Sequence, residues 1–209
     1  KEESCRDCKG RGCIFCNNHG IVSFDGVEGK MAKFLYEKFK TEQVKFTWIG
    51  GEDKTSLVMG DGRPFFAKLI SPKKQNIKLI KKSNLNEITI CDLRKIDYIP
   101  NGSIHFKSKT KILVSTKNNI LSNKLKNLKY LANIPIEITD SNRQYKKTVY
   151  NLKYKKYSLQ AFAVEIEADG GIPIKRFVDG SDIIPNISSV IGMQCSCKKF
   201  DINQIYLSK

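Results

Sequence analysis

Val27, Met31, Phe34, Leu35 and Phe39 recur at three- to four-residue intervals, so one helical face collects them and the spacing predicts a helix over 27–40. The period then shortens. Runs with β character follow at 44–49, 56–60, 65–70, 87–91, 96–99, 103–106 and 111–115, punctuated by Gly60-Asp61-Gly62, Pro72 and Pro100-Asn101-Gly102. Leu121, Leu125, Leu128 and Leu131 restore helical spacing within a Lys-rich segment at 119–132. Strands are expected again at 134–139, 145–154, 158–167 and 172–178, then a short helix near 186–191 and a terminal strand at 199–207. Helices separated by several strand runs predict a mixed α/β or α+β fold.

At 209 residues the chain can bury one sizeable core with a small appendage. Its 37 Lys and Arg against 21 Asp and Glu leave a net charge of +16. That surplus makes a polyanion the first partner to consider. No run approaches the roughly 18 to 20 apolar residues of a membrane span, and no apolar leader precedes a small-residue cleavage site. The expectation is a soluble, cytoplasmic protein with no membrane partner.

Cys5, Cys8, Cys13 and Cys16 form two Cys-x-x-Cys pairs four residues apart, with Gly10 and Gly12 between them. Each pair can turn two thiolates toward one point, the arrangement of a structural zinc site. A segment with only Ile14, Phe15, Ile21 and Val22 as sizeable apolar groups cannot fold by burial alone, so metal ligation would supply its stability. Two disulfides are the competing arrangement, which an intracellular setting disfavours. Four thiolates leave no open coordination position, so the Zn2+ would support shape and take no part in chemistry. Residues 1–24 are read as this zinc knuckle and 25–209 as the main domain. His19 is expected on the surface, and Cys91, Cys195 and Cys197 as ordinary free thiols.

The positive charge is clustered. Lys73, Lys74, Lys78, Lys81 and Lys82 crowd one window, and Lys107, Lys109 and Lys111 alternate as they would on one face of a strand. Arg143, Lys146, Lys147, Lys153, Lys155 and Lys156 interleave with Tyr145, Tyr150, Tyr154 and Tyr157. Such a ribbon can neutralise phosphates while its rings contact riboses or unstacked bases. Each run alone also fits a solvated face; together they point to nucleic acid. Lysine far outnumbers arginine, which suits backbone contact better than a base-reading code.

Residues 45–53, Lys-Phe-Thr-Trp-Ile-Gly-Gly-Glu-Asp, bring an apolar run into two glycines and two acids, and the chain continues to Gly60-Asp61-Gly62-Arg63-Pro64-Phe65. Asp53 is a candidate nucleophile, because a short side chain beside a glycine turn has few positional options. By this pattern alone Asp53 serves equally well as a helix cap or a turn residue.

The run Gly50 to Phe65 resembles the Pus10-type tRNA pseudouridine synthases of archaea and eukaryotes, whose corresponding segment opens Gly-Arg-Glu-Asp and ends Gly-Arg-Pro-Phe. Gly171-Ile172-Pro173-Ile174-Lys175-Arg176-Phe177-Val178 is similar to the family's Gly-x-Tyr-Ile-Lys-Glu-Phe-Val strand, and the paired cysteines are similar to its metal knuckle. The resemblance implies a catalytic domain with a central mixed, largely antiparallel β-sheet crossed by an RNA cleft. It implies that Asp53 is the catalytic aspartate, Lys175 its basic companion, and Arg63 and the lysine clusters RNA contacts. It also implies conversion of uridine to pseudouridine in the TΨC arm of tRNA, at positions 54 and 55, without an organic cofactor. The family usually carries a further RNA-binding domain before its catalytic domain, so a separate N-terminal domain or subunit is an expected partner. The alternative is a catalytically weak or inactive RNA-binding homologue, or the catalytic part of a split or truncated enzyme. Three departures bear on this: Gly51 stands where the family has arginine, Pro173 where it has tyrosine, and Thr110 aligns with its catalytic tyrosine. Phe106 or Tyr98 are other rings that could lie beneath the target base.

Overall fold

The computed structural model describes residues 3–51, 56–75, 78–98, 104–141 and 143–207. The chain divides into two compact units, one made of 1–47 and 65–101 and the other of 48–64 and 102–209. The mixed α+β class expected from the alternating periods is what the structure has.

The first unit opens on the cysteine segment, whose backbone turns through a short 3₁₀ stretch at Ile14–Cys16. Helix α1 (Val27–Phe39) follows, one residue shorter than the spacing predicts. It buries Met31, Ala32, Leu35, Tyr36 and Phe39 on one face and ends where Lys40 enters the left-handed region at φ 52°. The cysteine segment rests on this helix through the His19 ring, stacked on Tyr36 with 3.9 Å between centroids. His19 is thus a packing residue rather than a surface one. Two small ribbons complete the unit, β1 (Gln43–Trp48) with β2 (Phe65–Ile70), and β3 (Ile80–Leu85) with β4 (Ile88–Leu93). β3 was not legible as a strand, because Lys81 and Lys82 read as part of a charge cluster. As consecutive strand residues they point to opposite faces.

The second unit is a six-stranded antiparallel sheet in the order β10-β5-β8-β7-β6-β9. Its strands are β5 (Phe106–Thr116), β6 (Pro135–Asp140), β7 (Arg143–Lys156), β8 (Ala161–Asp169), β9 (Ile183–Ile184) and β10 (Cys195–Leu207). The run expected at 111–115 lies within a longer strand that starts at Phe106, the one strand residue of the run expected at 103–106, and Ser103 lies outside the described residues. Helix α2 (Ser122–Leu125) continues into a 3₁₀ stretch at Lys126–Leu131, and Leu125, Leu128 and Leu131 are all buried, as their spacing requires. Ile112, Val114, Phe162 and Val164 share the covered face of the sheet and are fully buried. Each contributes about 1.5–3 kcal/mol relative to exposure. The opposite face carries Lys109 and Lys111 paired across strands with Glu167 and Glu165.

Three expectations need correction. The run 56–60 is not a strand: Val58 makes a single parallel bridge to Ile202, and Gly60 turns the chain away at φ 64°. Residues 96–98 form no strand either, and Ile99 lies outside the described residues. Residues 172–178 are helix rather than strand. Helix α3 (Ile174–Asp179) has Pro173 at its N-cap and Gly180 in the left-handed region after its last turn. Ile174, Phe177 and Val178 are three and four residues apart, so helical winding carries Phe177 and Val178 into the core together. A proline tolerated poorly inside a strand is acceptable at that cap. Helix α4 (Ile187–Ile191) is capped by Asn186, whose side chain accepts from the Ser189 N–H.

Arg176 ties α3 to the sheet. Its guanidinium donates to Asp140 Oδ1 at 2.6 Å, Thr139 O at 2.5 Å and Ser181 O at 3.1 Å. The hydrogen bond from Arg176 holds the Asp140 carboxyl below its ordinary range, against some desolvation. The pair therefore stabilises above the ordinary carboxylate pKa and loses its contribution as acid protonates Asp140. We expect Arg176→Ala to lower the melting temperature at pH 7, solvent screening of the exposed pair limiting the effect. Thermal melts should show the gap between variant and wild type closing below about pH 4, and a gap independent of pH would contradict the assignment.

Candidate functional site

A cavity of about 520 Å³ opens in the second unit where the helical layer stops short of the end of the sheet. Its floor is built by β5, β8 and β10. Phe106, Ser108 and Thr110 come from β5, Ile166 and Ala168 from β8, and Phe200, Ile202 and Ile205 from β10. Even-numbered β5 residues share one face. On β10 a bulge between Ile202 and Gln204 shifts the parity, so that Ile202 and Ile205 pair with Thr110 and Ser108 on that same face.

The walls come from two glycine turns. Gly50 and Gly51 line one side, and the stretch from Gly171 to Arg176, including Lys175, lines the other. The Phe106 ring is held between these turns. A Cβ on Gly170 would lie 2.2 Å from that ring, and one on Gly50, whose φ is 80°, would lie 3.5 Å from it. Gly170 N also donates to Phe106 O at 2.7 Å. Only glycine at 170 lets the chain leave β8 against this ring.

Lys175 therefore reaches the cavity from a helix. Asp53, its expected companion, lies outside the described residues, as does Glu52. Thr110, 2% exposed, lies in the cavity floor where the resemblance places a tyrosine. Phe106 lines the cavity too, whereas Tyr98 belongs to the first unit and is 78% exposed. A Cβ on Gly51 would meet nothing within 4 Å.

Asp169 was not singled out, because Glu165, Glu167 and Asp169 alternate like a solvated strand face. It is the one carboxylate among the described residues lining the cavity. Tyr150 OH donates to its Oδ1 at 2.8 Å and Thr148 N to its Oδ2 at 2.8 Å. Val149 and Asn151 oppose successive β8 residues, Ala168 and Glu167, so Tyr150 is the extra residue of a bulge. Lys107 Nζ sits 3.7 Å from the centre of the Tyr150 ring. Accepting its hydroxyl hydrogen bond, Asp169 pushes the Tyr150 pKa up.

The expected RNA contacts are dispersed over both units. Lys73, Lys74, Lys78, Lys81 and Lys82 are exposed in the first. Arg143, Lys146, Lys147, Lys153, Lys155 and Lys156 lie along β7 in the second. Lys146 pairs with Glu137 at 2.9 Å, Lys153 faces Glu165 across strands, and Lys156 donates to Ile120 O at 2.6 Å. Lys147 lies at the cavity edge, its Nζ 4.0 Å from where a Cβ on Gly171 would stand. The Arg63 guanidinium donates to Ile49 O at 3.0 Å and to Gly50 O, and lies 5.1 Å from the Trp48 ring. It braces the turn that forms the cavity wall.

In the first unit the ligand sulfurs of Cys5, Cys8, Cys13 and Cys16 all lie within 4.8 Å of one another and could hold a metal ion. The Cys5–Cys13, Cys8–Cys16 and Cys13–Cys16 separations are each 3.8 Å. Gly12 N donates to Cys8 Sγ at 3.1 Å and Gly20 N to Cys16 Sγ at 3.1 Å. Burial pushes the Cys16 thiol up, but the backbone around Cys13 and Gly20 outweighs it and brings it down to about 7. Cys91, Cys195 and Cys197 form no disulfide among the described residues. No described helix is long and apolar enough to cross a membrane.

The family model described as "Pus10, C-terminal" matches residues 14–206. A protein named tRNA pseudouridine synthase Pus10 from Nitrosopumilus maritimus (strain SCM1) is 39% identical over 206 residues, 98% of this chain and 54% of that protein. Proteins of the same name from Cenarchaeum symbiosum (strain A) and Methanocaldococcus jannaschii are 31% and 32% identical, covering 100% and 97% of this chain and 52% and 48% of theirs. The chain thus spans about half the length of these curated relatives. Among solved structures, a Cbf5-Nop10-Gar1 complex overlaps 49% of this chain and 32% of that one at 9% identity, with a TM-score of 0.41, too slight a likeness to argue from. With the family model matching 14–206, the cavity-bearing sheet included, the chain belongs to the Pus10 C-terminal family.

Proposed function

We propose that this chain carries the catalytic part of a tRNA pseudouridine synthase. The observation that bears most on this is that two segments far apart in sequence line one cavity: Gly50-Gly51, which lead into Asp53, and the turn and helix that carry Lys175. The name borne by the relatives supports the same reading. In the reaction uracil leaves C1′ of its ribose at N1, rotates, and returns through C5, while the proton on C5 is lost and N1 gains one. Substrate and product are isomers, so the balance needs no oxidant and no organic cofactor. Asp53 assists departure of the base and stabilises the sugar it leaves behind. Lys175 favours the charged form of that carboxylate. The apolar floor of Phe106, Ile166 and Phe200 receives the base once it has left its stack, an extrusion costing about a few kcal/mol that phosphate contacts by exposed lysines offset. The target proposed is a uridine of the TΨC arm, at position 54 or 55, with tRNA as partner and a separate N-terminal RNA-binding domain or subunit assisting.

An RNA-binding homologue with weak catalysis is the second reading, and Thr110 in the cavity floor in place of a tyrosine favours it. Conversion assays on TΨC stem-loops separate the two. We expect Asp53→Ala to lower conversion by on the order of 10⁴-fold with RNA affinity kept within about twofold. Lys175→Ala should lower kcat about tenfold or more and move the acid limb of the pH–rate profile to higher pH, because a carboxyl without its ammonium neighbour binds protons more tightly. Full conversion by Asp53→Ala would remove the catalytic assignment, and binding without conversion by wild type would favour the second reading.

We also propose that the four cysteines hold one structural zinc ion. Zinc–thiolate bonds of about 2.3 Å in a tetrahedron give sulfur–sulfur edges of about 3.8 Å, the spacing of the three pairs above. With four thiolates the coordination is closed, so no step of the rearrangement passes through the metal. Metal analysis after chelator-free purification should give about one zinc per chain, and Cys8→Ser should lose it and lower the melting temperature. Protein purified without metal but fully folded would refute the assignment.

A further inference from the structure

We infer that the hydroxyls of Thr110 and Ser108 hold the target uracil by its two carbonyl oxygens, both before and after the base rotates. The inference rests on the cavity being the seat of pseudouridine formation. Both residues belong to the cavity floor. Thr110 is 2% exposed and pairs across strands with Ile166 on β8 and Ile202 on β10. Ser108 pairs with Ala168 and Ile205. Apolar neighbours on either side offer a hydroxyl nothing to bond, and neither side chain has a hydrogen-bond partner among the described residues. Yet no buried side-chain oxygen or nitrogen of those residues is orphaned, so both hydroxyls open into the cavity. Valine would fill the place of Thr110 with much the same shape and no polar group to desolvate. A hydroxyl there has only a ligand or solvent to bond.

The geometry of the rotation says which groups they meet. Uracil carries one carbonyl on each side of N3. Turning the ring about the axis through N3 and C6 brings C5 to the position that N1 left, and the same turn exchanges the C2 and C4 carbonyls. An edge seated against the two hydroxyls therefore presents acceptor, donor and acceptor in both orientations. Each hydroxyl can donate to a carbonyl, so the floor holds the base alike before and after the turn, and nothing in it has to rearrange. Alternate residues of a strand stand about 6.8 Å apart, the scale of the two carbonyls of one pyrimidine with a hydrogen bond at each. Among the isoleucines a carbonyl left unmet would lose its water without replacement. Cytosine carries an amino group in place of one carbonyl, so the same turn would swap a donor for an acceptor at each hydroxyl.

The test follows conversion of a TΨC stem-loop carrying uridine, 2-thiouridine or 4-thiouridine at the target position, sulfur being a poor hydrogen-bond acceptor. Wild type should convert either thio-substrate about tenfold more slowly than uridine. Thr110→Val should lower kcat/KM for uridine about tenfold with no fall in melting temperature, and Thr110→Ser should restore most of the loss. In the double variant Ser108→Ala/Thr110→Val, sulfur in place of oxygen should cost less than about twofold, because the groups it would disturb are gone. Ser108→Ala alone should also slow conversion, and it carries the test if the valine variant fails to fold. A wild-type rate in Thr110→Val would show a hydroxyl that is merely solvated and overturn the inference, whatever the melting temperature. A double variant still losing tenfold to sulfur would put the carbonyl contacts elsewhere and overturn it as well. Wild type that converts no uridine overturns the proposed function itself, and the inference with it.

Discussion

The cavity depends on one steric fact, the passage of the chain past the Phe106 ring at Gly170. A side chain at 170 would occupy the volume of the ring. Because none is there, β8 ends abruptly, Gly171 turns the backbone at φ 88°, and α3 begins within three residues. That turn keeps Ile172 buried beside the sheet while Lys175, two residues after Pro173, reaches the cavity. Phe177 and Val178 then anchor the helix in the core. A longer excursion before α3 would leave the end of the sheet either covered or solvated, and no enclosed apolar floor would remain. Gly50 meets the same ring from the opposite wall, so a single aromatic side chain sets the approach of both turns.

Much of this was legible from periodicity, and what was not has a physical cause. Leu125, Leu128 and Leu131, and Met31, Leu35 and Phe39 along α1, are buried as their spacing requires, so those elements emerged nearly where expected, although Leu121 and Val27 at their starts are exposed. The 172–178 segment failed because Ile172, Ile174 and Val178 fit a period of two, while Ile174, Phe177 and Val178 fit a helix equally well; Gly171 and Gly180 decide for the helix. Gly50, Gly51 and Lys175 were identifiable as parts of motifs, and the cavity gathers them. The Tyr150–Asp169 hydrogen bond was invisible because it comes from a bulge, and bulges alter register without altering composition. The pairing of Thr148 N and Tyr150 OH on one carboxylate is a tertiary event that no local pattern announces.

Net charge also proved a coarse guide to where polyanions can bind. The +16 surplus is real, yet the lysine runs resolve into different structural roles. On the open face of the sheet, Lys109, Lys111 and Lys153 stand opposite Glu167 and Glu165, so their field partly cancels. Lys156 is committed to Ile120 O and Arg63 to the backbone of the Gly50 turn. Lys147 at the cavity edge and the exposed lysines around 73–82 carry fewer such commitments. Long-range attraction needs only the sum, whereas orientation of an RNA over the cavity needs those cations that the fold leaves to solvent.

The two sites solve opposite problems of organisation. The cysteine segment has little to bury: Ile14 and Phe15 are 82% and 80% exposed, so packing gives its turns little support and the proposed ligation would supply the rest. Its N–H groups point inward at sulfur, which suits a closed site and leaves nothing for a substrate to displace. The cavity has the reverse economy. Its floor is a continuation of a well-packed core, rigid enough to hold a few polar groups in fixed positions, and its helical cover is missing over one end. The function proposed for it requires an open site, and openness is tolerable there because the surrounding strands and α3 are stabilised elsewhere. The polar residues among its lining, Thr110, Asp169 and Lys175, come from three elements of one sheet-and-helix unit, so their spacing is set by packing rather than by loop conformation.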